Sequence, residues 1–132
     1  ATEKILPCFE IVDSRIESWK IKIQDTIADN ASCGIFVLGE DSCAPDKFSM
    51  DELEVIVYKN GEFLSTGKGS AVQGHPAEAV AWLANTLGEY DIPLLKGEFI
   101  LSGSLVPLEP AVSGDVFFME LKGVGTCEIN FS

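Results

Sequence analysis

The stretch that decides the fold runs from Leu53 to Thr66 and has the sequence LEVIVYKNGEFLST. Its two halves are rich in β-branched and aromatic residues, and they flank Asn60-Gly61. This pair suits a tight hairpin turn, because both central turn positions must accept a positive φ. The stretch therefore predicts a β-hairpin with strands at 53–59 and 62–66.

Other apolar runs extend this hairpin into a larger β structure. The continuous apolar run at 34–38 is typical of a buried strand. Further strands are expected near residues 5–12, 98–102, 115–121 and 126–131. The polar stretch at 39–49 contains a proline and predicts a loop that joins strands.

One clear helix is predicted at about 76–88. Pro76 suits the first helical position because its φ is fixed and it has no N–H, and Gly88 can take the left-handed conformation that ends a helix. The apolar residues that share one face are Val80, Leu83, Ala84 and Leu87. We expect this face to pack on the sheet. Together the elements predict a single α+β domain over residues 1–132, predominantly β, with mixed sheets wrapped into a roll.

The composition limits the classes of partner. The chain has 132 residues, of which 46% are hydrophobic, and 21 acidic against 9 basic residues give a formal net charge of -12. Such a charge repels phosphate backbones and anionic lipids, so neither nucleic acid nor a membrane is expected as a partner. No apolar run is long enough to span a bilayer and no signal peptide is evident, which predicts a cytoplasmic protein.

The cysteines and the single histidine do not form a recognised catalytic or metal motif. Cys8, Cys33, Cys43 and Cys127 are widely spaced without a C-x-x-C pair, and we interpret all four as free thiols. Cys33 and Cys127 are expected in the core, whereas Cys43 lies in a polar loop and is expected to be exposed. His75 precedes the helix and is interpreted as a helix-entry residue.

Glu10 is the residue that most suggests metal binding. It lies between Cys8-Phe9 and Ile11-Val12 in an otherwise apolar strand. Burying its charge without a partner would cost several kcal/mol, which a cation can offset. Two alternatives are a glutamate at a sheet edge that faces water and a glutamate paired with Arg15.

Two lysines and an aspartate follow in the next segment. Lys20 and Lys22 are two residues apart, so on an extended strand both lie on the same face, and Asp25 is expected at a turn. One lysine can then point into a site. Asp25 either orients Lys22 or caps the residues that follow it.

A turn of small hydroxyl residues lies in the last third of the chain. Ser102-Gly103-Ser104 follows the apolar run Phe99-Ile100-Leu101 and offers two hydroxyls and an unobstructed backbone N–H. These groups suit a carboxylate or another oxyanion. The alternative is an ordinary turn with no ligand.

Four motifs in a fixed order indicate a family. They are EIVDSRI at 10–16, DTIADNAS at 25–32, GHPAEAVAWLAN at 74–85 and LSGSLVPLEP at 101–110. Through them the chain resembles the 2-keto-4-pentenoate hydratase and 4-oxalocrotonate decarboxylase branch of the fumarylacetoacetate hydrolase superfamily. The resemblance implies the β-roll fold of that superfamily.

The resemblance also implies that this chain is only the C-terminal half of such an enzyme. Family members are about twice as long, and their Glu-x-Glu pair, which supplies two metal carboxylates, would lie upstream of Ala1. Glu10 matches the third carboxylate ligand of Mg²⁺ or Mn²⁺, hard ions that prefer oxygen. Metal binding is expected only with a complete site, and the implied protein partner is either a missing N-terminal half or further copies in a homo-oligomer.

The remaining site residues follow from the same resemblance. Lys22 and Asp25 match a Lys-x-x-Asp-Thr motif, in which an ammonium group would stabilise an enolate or donate a proton. Ser102, Gly103 and Ser104 would bind the substrate, a small 2-oxo acid. The residues after this turn favour a hydratase that adds water to 2-hydroxypenta-2,4-dienoate in the degradation of aromatic compounds. The alternatives are a 4-oxalocrotonate decarboxylase and a catalytically silent fragment or assembly half.

Overall fold

The computed structural model describes all 132 residues and contains six strands and two α-helices. The strands are β1 (Cys8–Val12), β2 (Cys33–Leu38), β3 (Glu54–Lys59), β4 (Glu62–Lys68), β5 (Val116–Leu121) and β6 (Gly125–Asn130), and the helices are α1 (Ile23–Ala28) and α2 (Pro76–Gly88). Neither helix has the length and apolar character needed to cross a bilayer. The strands with one main helix confirm the predicted α+β class.

The predicted hairpin is present and forms part of a four-stranded sheet. Its strand order is β4-β3-β5-β6, and every neighbouring pair is antiparallel. Asn60 and Gly61 form the turn with φ values of 54° and 81°, as the sequence predicts. A bulge between Val57 and Tyr58 shifts the register of β3 against β4. The hairpin therefore supplies two of the four strands.

The other two strands form a separate antiparallel ribbon, β1 with β2, which we call the ribbon. Glu10 lies opposite Phe36 in its register, and a bulge follows Ile11. Ile5 and Cys43 form an isolated bridge just outside the ribbon, with N···O distances of 2.8 and 3.0 Å. This bridge anchors the 39–49 loop to the chain ahead of β1.

The core lies on one face of the four-stranded sheet. Its fully buried cluster consists of Leu53, Val55, Val57, Met119, Leu121 and Cys127. Phe9 and Val37 of the ribbon pack against this cluster, so the ribbon covers part of that face. Cys127 is buried as predicted, and Cys33 is half-buried. The prediction for Cys43 was wrong, because its backbone bridge to Ile5 draws it inside.

Helix α2 has the predicted bounds. His75 is its N-cap and accepts a 3.1 Å hydrogen bond at Nδ1 from the Ala77 N–H, which confirms the helix-entry role. Gly88 is not left-handed; the positive φ comes later, at Asp91. The predicted apolar face is half-buried, and no residue of α2 is fully buried.

One predicted strand is not formed. Residues 98–102 have no regular structure, because no neighbouring strand in this chain lies beside them to accept their backbone hydrogen bonds. Residues 20–22 do not form a strand either, although Lys22 itself has extended φ and ψ angles. They lie between a short 3₁₀ turn at Glu17–Trp19 and helix α1, so Lys20 and Lys22 do not share the face of a strand.

Candidate active site

Glu10 lies in the middle of β1 and is half-buried. Successive side chains of a strand point to opposite faces, so Glu10 points away from the side on which Phe9 meets the core. Arg15 does not pair with it. Burial and then the nearby Glu10 carboxylate raise the pKa of the Cys33 thiol, and burial raises that of Cys8 to about 11. Both thiols are therefore protonated at neutral pH.

Arg15 instead closes the base of the β1–β2 connection, residues 13–32, which carries Lys22 and Asp25. Its Nε donates to Asp29 Oδ1 at 2.6 Å and its Nη2 to the Asp29 carbonyl at 2.8 Å. Its Nη1 donates to the carbonyls of Asp13 and Cys33, each at 2.9 Å. One guanidinium group thus joins both ends of the connection, which the planar fork of arginine allows.

Asp25 holds the start of helix α1. Its Oδ2 accepts a 2.9 Å hydrogen bond from the Lys22 N–H, and Lys22 occupies the N-cap position. Asp25 thus binds back to the backbone of Lys22 from the third helical position, and its carboxylate does not cap the residues that follow it. The Lys22 side chain is exposed and takes part in none of the ion pairs of the chain. The structure therefore brings Lys22 and Asp25 together through the backbone and leaves the ammonium group free.

One of the two serines in the turn at 102–104, which we call the hydroxyl turn, is already hydrogen-bonded to the backbone of the same chain. Ser104 Oγ donates to the Val106 carbonyl at 2.6 Å and accepts from the Val106 N–H at 3.4 Å. Ser102 is half-buried and forms no such bond, and Gly103 has a φ of 122°. Ser102 and the backbone at Gly103 are therefore the groups of this turn that are free to bind an anion.

The backbone just after the hydroxyl turn lies very close to strand β4. Gly67 of β4 lies directly beneath the carbonyl of Leu105, and a Cβ at position 67 would overlap that oxygen. Leu105 and Val106 also pack against the core cluster. The residues that follow the turn are thus fixed on the sheet, which limits where the turn itself can lie.

An aromatic contact joins the ribbon to the segment that precedes the turn. The rings of Phe36 and Phe99 are 6.0 Å apart, and Phe36 is the register partner of Glu10. No hydrogen bond or ion pair within the chain joins Glu10, Lys22 and the serines of the turn. No group of three or more His, Cys, Asp or Glu side chains is placed to hold a metal ion. The residues of this chain therefore do not make up a metal site by themselves.

Sequence reasoning missed a buried polar network beside the hairpin turn. Asp115 accepts hydrogen bonds from Asn60 Nδ2 and the Val112 N–H, both at 2.9 Å, and its carboxylate is 3.2 Å from Lys59 Nζ. These contacts, led by the bond from Asn60, lower the pKa of Asp115. Lys59 also donates to the Pro110 carbonyl at 2.8 Å. The network ties the loop after the hydroxyl turn to the sheet, and the signal for it was an aspartate directly before an apolar strand.

Ser32 was also missed. It is 1% exposed, and its Oγ is the one buried side-chain N or O atom without a hydrogen-bond partner in the chain. It directly precedes Cys33, whose thiol lies near Glu10. Nothing in the residue pattern marked this serine, because an unpaired buried hydroxyl is a property of the packing and not of the local sequence.

Comparison with known proteins identifies the family. The fumarylacetoacetate (FAA) hydrolase C-terminal model matches residues 5–132. The chain is 61% identical over all 132 residues to the 2-hydroxyhexa-2,4-dienoate hydratase of Comamonas testosteroni and covers 50% of that protein. It is 43% identical over 131 residues, 99% of its length, to the 2-keto-4-pentenoate hydratase of Paraburkholderia xenovorans and covers 49% of it.

A solved structure gives the same answer for the fold. The 4-oxalocrotonate decarboxylase from Pseudomonas putida, complexed with magnesium and adipate, matches with a TM-score of 0.91 and 35% identity over 98% of this chain and 49% of that one. The same enzyme complexed with calcium and acetate matches with a TM-score of 0.89. The chain spans about half the length of the curated relatives it matches. The resemblance found in the four motifs is confirmed, and the chain belongs to the fumarylacetoacetate hydrolase family.

Proposed function

We propose that this chain is the substrate-handling half of a hydratase that adds water to 2-hydroxypenta-2,4-dienoate or a closely similar dienoate during the degradation of aromatic compounds. One observation carries the proposal. Identity to a protein named as a dienoate hydratase is 61% over every residue, whereas identity to the solved decarboxylase is 35%. The hydratase is therefore the better supported activity of the two.

In this proposal Glu10 supplies one carboxylate to a divalent cation, Mg²⁺ or Mn²⁺. A single carboxylate does not hold either ion, and the neighbouring Cys8 and Cys33 thiols are protonated at neutral pH. The other oxygen ligands then have to come from the part of the protein that this chain does not span. The magnesium complex of the solved relative supports a hard divalent ion in the family.

Lys22 is the proposed catalytic cation, with Asp25 as its positioning residue. The exposed ammonium group has no partner in this chain, and the Asp25 carboxylate holds the backbone from which it projects. In the complete site Lys22 would face the substrate and stabilise the negative charge of an enolate, or donate a proton to it.

The turn Ser102-Gly103-Ser104 is the proposed seat of the substrate carboxylate. Ser102 and the N–H groups beside Gly103 are the proposed donors, because the proton of Ser104 is already given to Val106. The partner is then a small 2-oxo acid. The negative charge of the chain argues against nucleic acid and membranes as partners.

The proposal extends to the architecture and the setting of the protein. The two sheets would form part of a β-roll that the remaining half of the enzyme completes. We treat residues 1–132 as one domain of that enzyme and expect it in the cytoplasm.

The test is an activity assay of this chain joined to the part of the Comamonas testosteroni relative that it does not match. With Mg²⁺ or Mn²⁺ the assembly is expected to consume 2-hydroxypenta-2,4-dienoate, seen as loss of its ultraviolet absorbance. Lys22→Met should lower kcat by about 10²- to 10⁴-fold, the usual contribution of a positioned acid or base. Lys20→Met is the matched control, since Lys20 is a neighbouring exposed lysine, and it should change little.

The same preparation distinguishes the alternatives. The close match to a decarboxylase structure makes 4-oxalocrotonate the alternative substrate to test. Release of CO₂ from it, without hydration of the dienoate, would assign the decarboxylase activity. If the assembly folds and turns over neither substrate, the chain is a silent assembly half. Equal losses from Lys22→Met and Lys20→Met would remove Lys22 from the site.

A further inference from the structure

We propose that the middle of β2, together with Phe99, is the surface on which the remaining half of the enzyme docks. We call this surface the β2 face; it consists of Phe36 and Phe99 on one side of the strand and Ile35 on the other. The inference rests on the proposed function only for the identity of the occupant. The surface itself follows from burial and strand geometry.

The first observation is that β2 is exposed on both of its faces. Ile35 is 63% exposed and Phe36 is 41% exposed, and as neighbours in a strand they point in opposite directions. An ordinary surface strand buries one face and places polar residues on the other. The six residues of β2 are CGIFVL, with no polar side chain apart from the thiol, which is the composition of a strand covered on both sides.

The second observation is that one edge of β2 is unpaired. The ribbon has only two strands, so the backbone groups of β2 that point away from β1 have no ladder partner. Such an edge readily accepts another strand. An edge that is both apolar and open combines main-chain hydrogen bonds with burial of side chains.

The third observation extends the surface beyond the ribbon. Phe99 is 56% exposed and contacts Phe36, with ring centroids 6.0 Å apart. It belongs to the 98–102 segment, which was predicted as a strand and has no strand neighbour in this chain. The β2 face therefore includes a second segment whose sequence favours pairing that this chain does not provide.

The length of the relatives and the net charge of this chain indicate what covers the β2 face. The hydratase that is 61% identical to this chain is about twice as long. The solved decarboxylase is also about twice as long and contains the fold of this chain, with a TM-score of 0.91. The longer proteins thus contain an equal length of chain that can cover the β2 face. A second copy of this chain is disfavoured, because each copy has a net charge of -12.

The experiment co-expresses this chain with the unmatched half of the Comamonas testosteroni relative and measures complex formation by light scattering after size exclusion. The wild-type chain is expected to form a 1:1 complex. Ile35→Lys and Phe36→Lys should each weaken it at least tenfold, since they place a charge on the docked surface. Phe63→Lys is the matched control, because Phe63 is also 63% exposed but lies on β4, and its complex should be unchanged.

A second measurement does not require the partner half to fold alone. The two halves are joined in one chain, and amide exchange of residues 34–36 is compared with that of the isolated 132-residue chain. Protection of these amides is expected to rise at least tenfold in the joined chain. Unchanged exchange, or equal weakening by Phe63→Lys, would overturn the proposal, and dimers of the isolated chain that Ile35→Lys abolishes would assign the face to a second copy.

The outcomes also separate this inference from the proposed activity. A complex that forms through the β2 face but hydrates no dienoate supports the docking surface and contradicts the hydratase. Turnover that survives both lysine substitutions, with the complex intact, supports the hydratase and contradicts the docking surface.

Discussion

The four-stranded sheet and the ribbon use the same antiparallel pairing but differ in how far they are buried. Strands β3 and β5 place alternate residues in the core, among them Val55, Val57 and Met119. Strands β1 and β2 contain no fully buried residue. Regular strand pairing therefore does not by itself show that the side chains of a strand are buried. The four-stranded sheet has a buried hydrophobic core within this chain, whereas the ribbon keeps apolar side chains exposed.

The largest expected difference between the two regions is the loss of stability caused by truncating one apolar side chain in each. Met119→Ala removes a buried side chain from the core cluster and should lower the free energy of unfolding by about 2–5 kcal/mol. Ile35→Ala in the ribbon should change it by no more than about 0.5 kcal/mol, as is usual at exposed sites. Urea unfolding followed by circular dichroism measures both. Similar losses from the two variants would show that the ribbon is part of the core.

The β1–β2 connection should respond locally to loss of Arg15. Arg15→Ala removes hydrogen bonds to both ends of the connection, and the cost should be about 1 kcal/mol because the side chain is half exposed. Amide exchange should accelerate in residues 22–29 and stay unchanged in β3 and β5. Arg15→Lys keeps the charge but not the fork, and it should behave like Arg15→Ala. Full retention of protection by the lysine variant would show that charge alone closes the connection.

The free energy of unfolding should fall at acid pH partly because Asp115, next to the four-stranded sheet, becomes protonated. Its pKa lies below the ordinary value of 3.8, so near pH 4 the folded state binds fewer protons than the unfolded state. Its contribution is therefore present at neutral pH and is lost as the pH falls below about 4. In Asp115→Asn the free energy of unfolding should fall less steeply between pH 5 and pH 3, as measured by urea titration at each pH. Parallel curves for the two proteins would contradict this assignment.

The stability of the ribbon should depend on alkaline pH through Cys8. Burial raises the pKa of Cys8 from 9.0 to about 11, so between these values the folded state holds a proton that the unfolded state releases. Stability from this thiol is complete below pH 9 and is lost as the pH rises through 11. Cys8→Ala should flatten this limb in thermal unfolding at pH 8 to 11. Cys127→Ala serves for comparison, since burial raises its pKa too, and a steeper limb in Cys8→Ala would contradict the prediction.

The parts of the fold that local rules determine were predictable. The Asn60-Gly61 turn and the Pro76 helix start have one favoured conformation each, and both are present. The 98–102 segment and the exposure of β2 were not predictable in this way, because pairing and burial depend on tertiary neighbours: no strand of this chain pairs with 98–102, and Ile35 and Phe36 are exposed.

The sequence predicted which residues belong to the candidate site better than it predicted their conformation. The motif order identified the family, but the conformation of the β1–β2 connection had no signal in the residue pattern. Five of its non-glycine residues have positive φ, namely Ser18, Trp19, Asn30, Ala31 and Ser32. Apart from Asn30, these are residue types that seldom adopt a positive φ, so local propensity does not predict this conformation. Lys22 itself is extended but Lys20 is not, so the two lysines do not share the face of a strand.

The close approach at Gly67 has a consequence for any laboratory selection on this protein. Since a methyl group there would displace the Leu105 carbonyl, even alanine at position 67 would shift the backbone that holds the hydroxyl turn. Under the proposed function, a mutational scan scored by growth on an aromatic carbon source would find this edge-strand glycine as intolerant as a residue that touches the substrate.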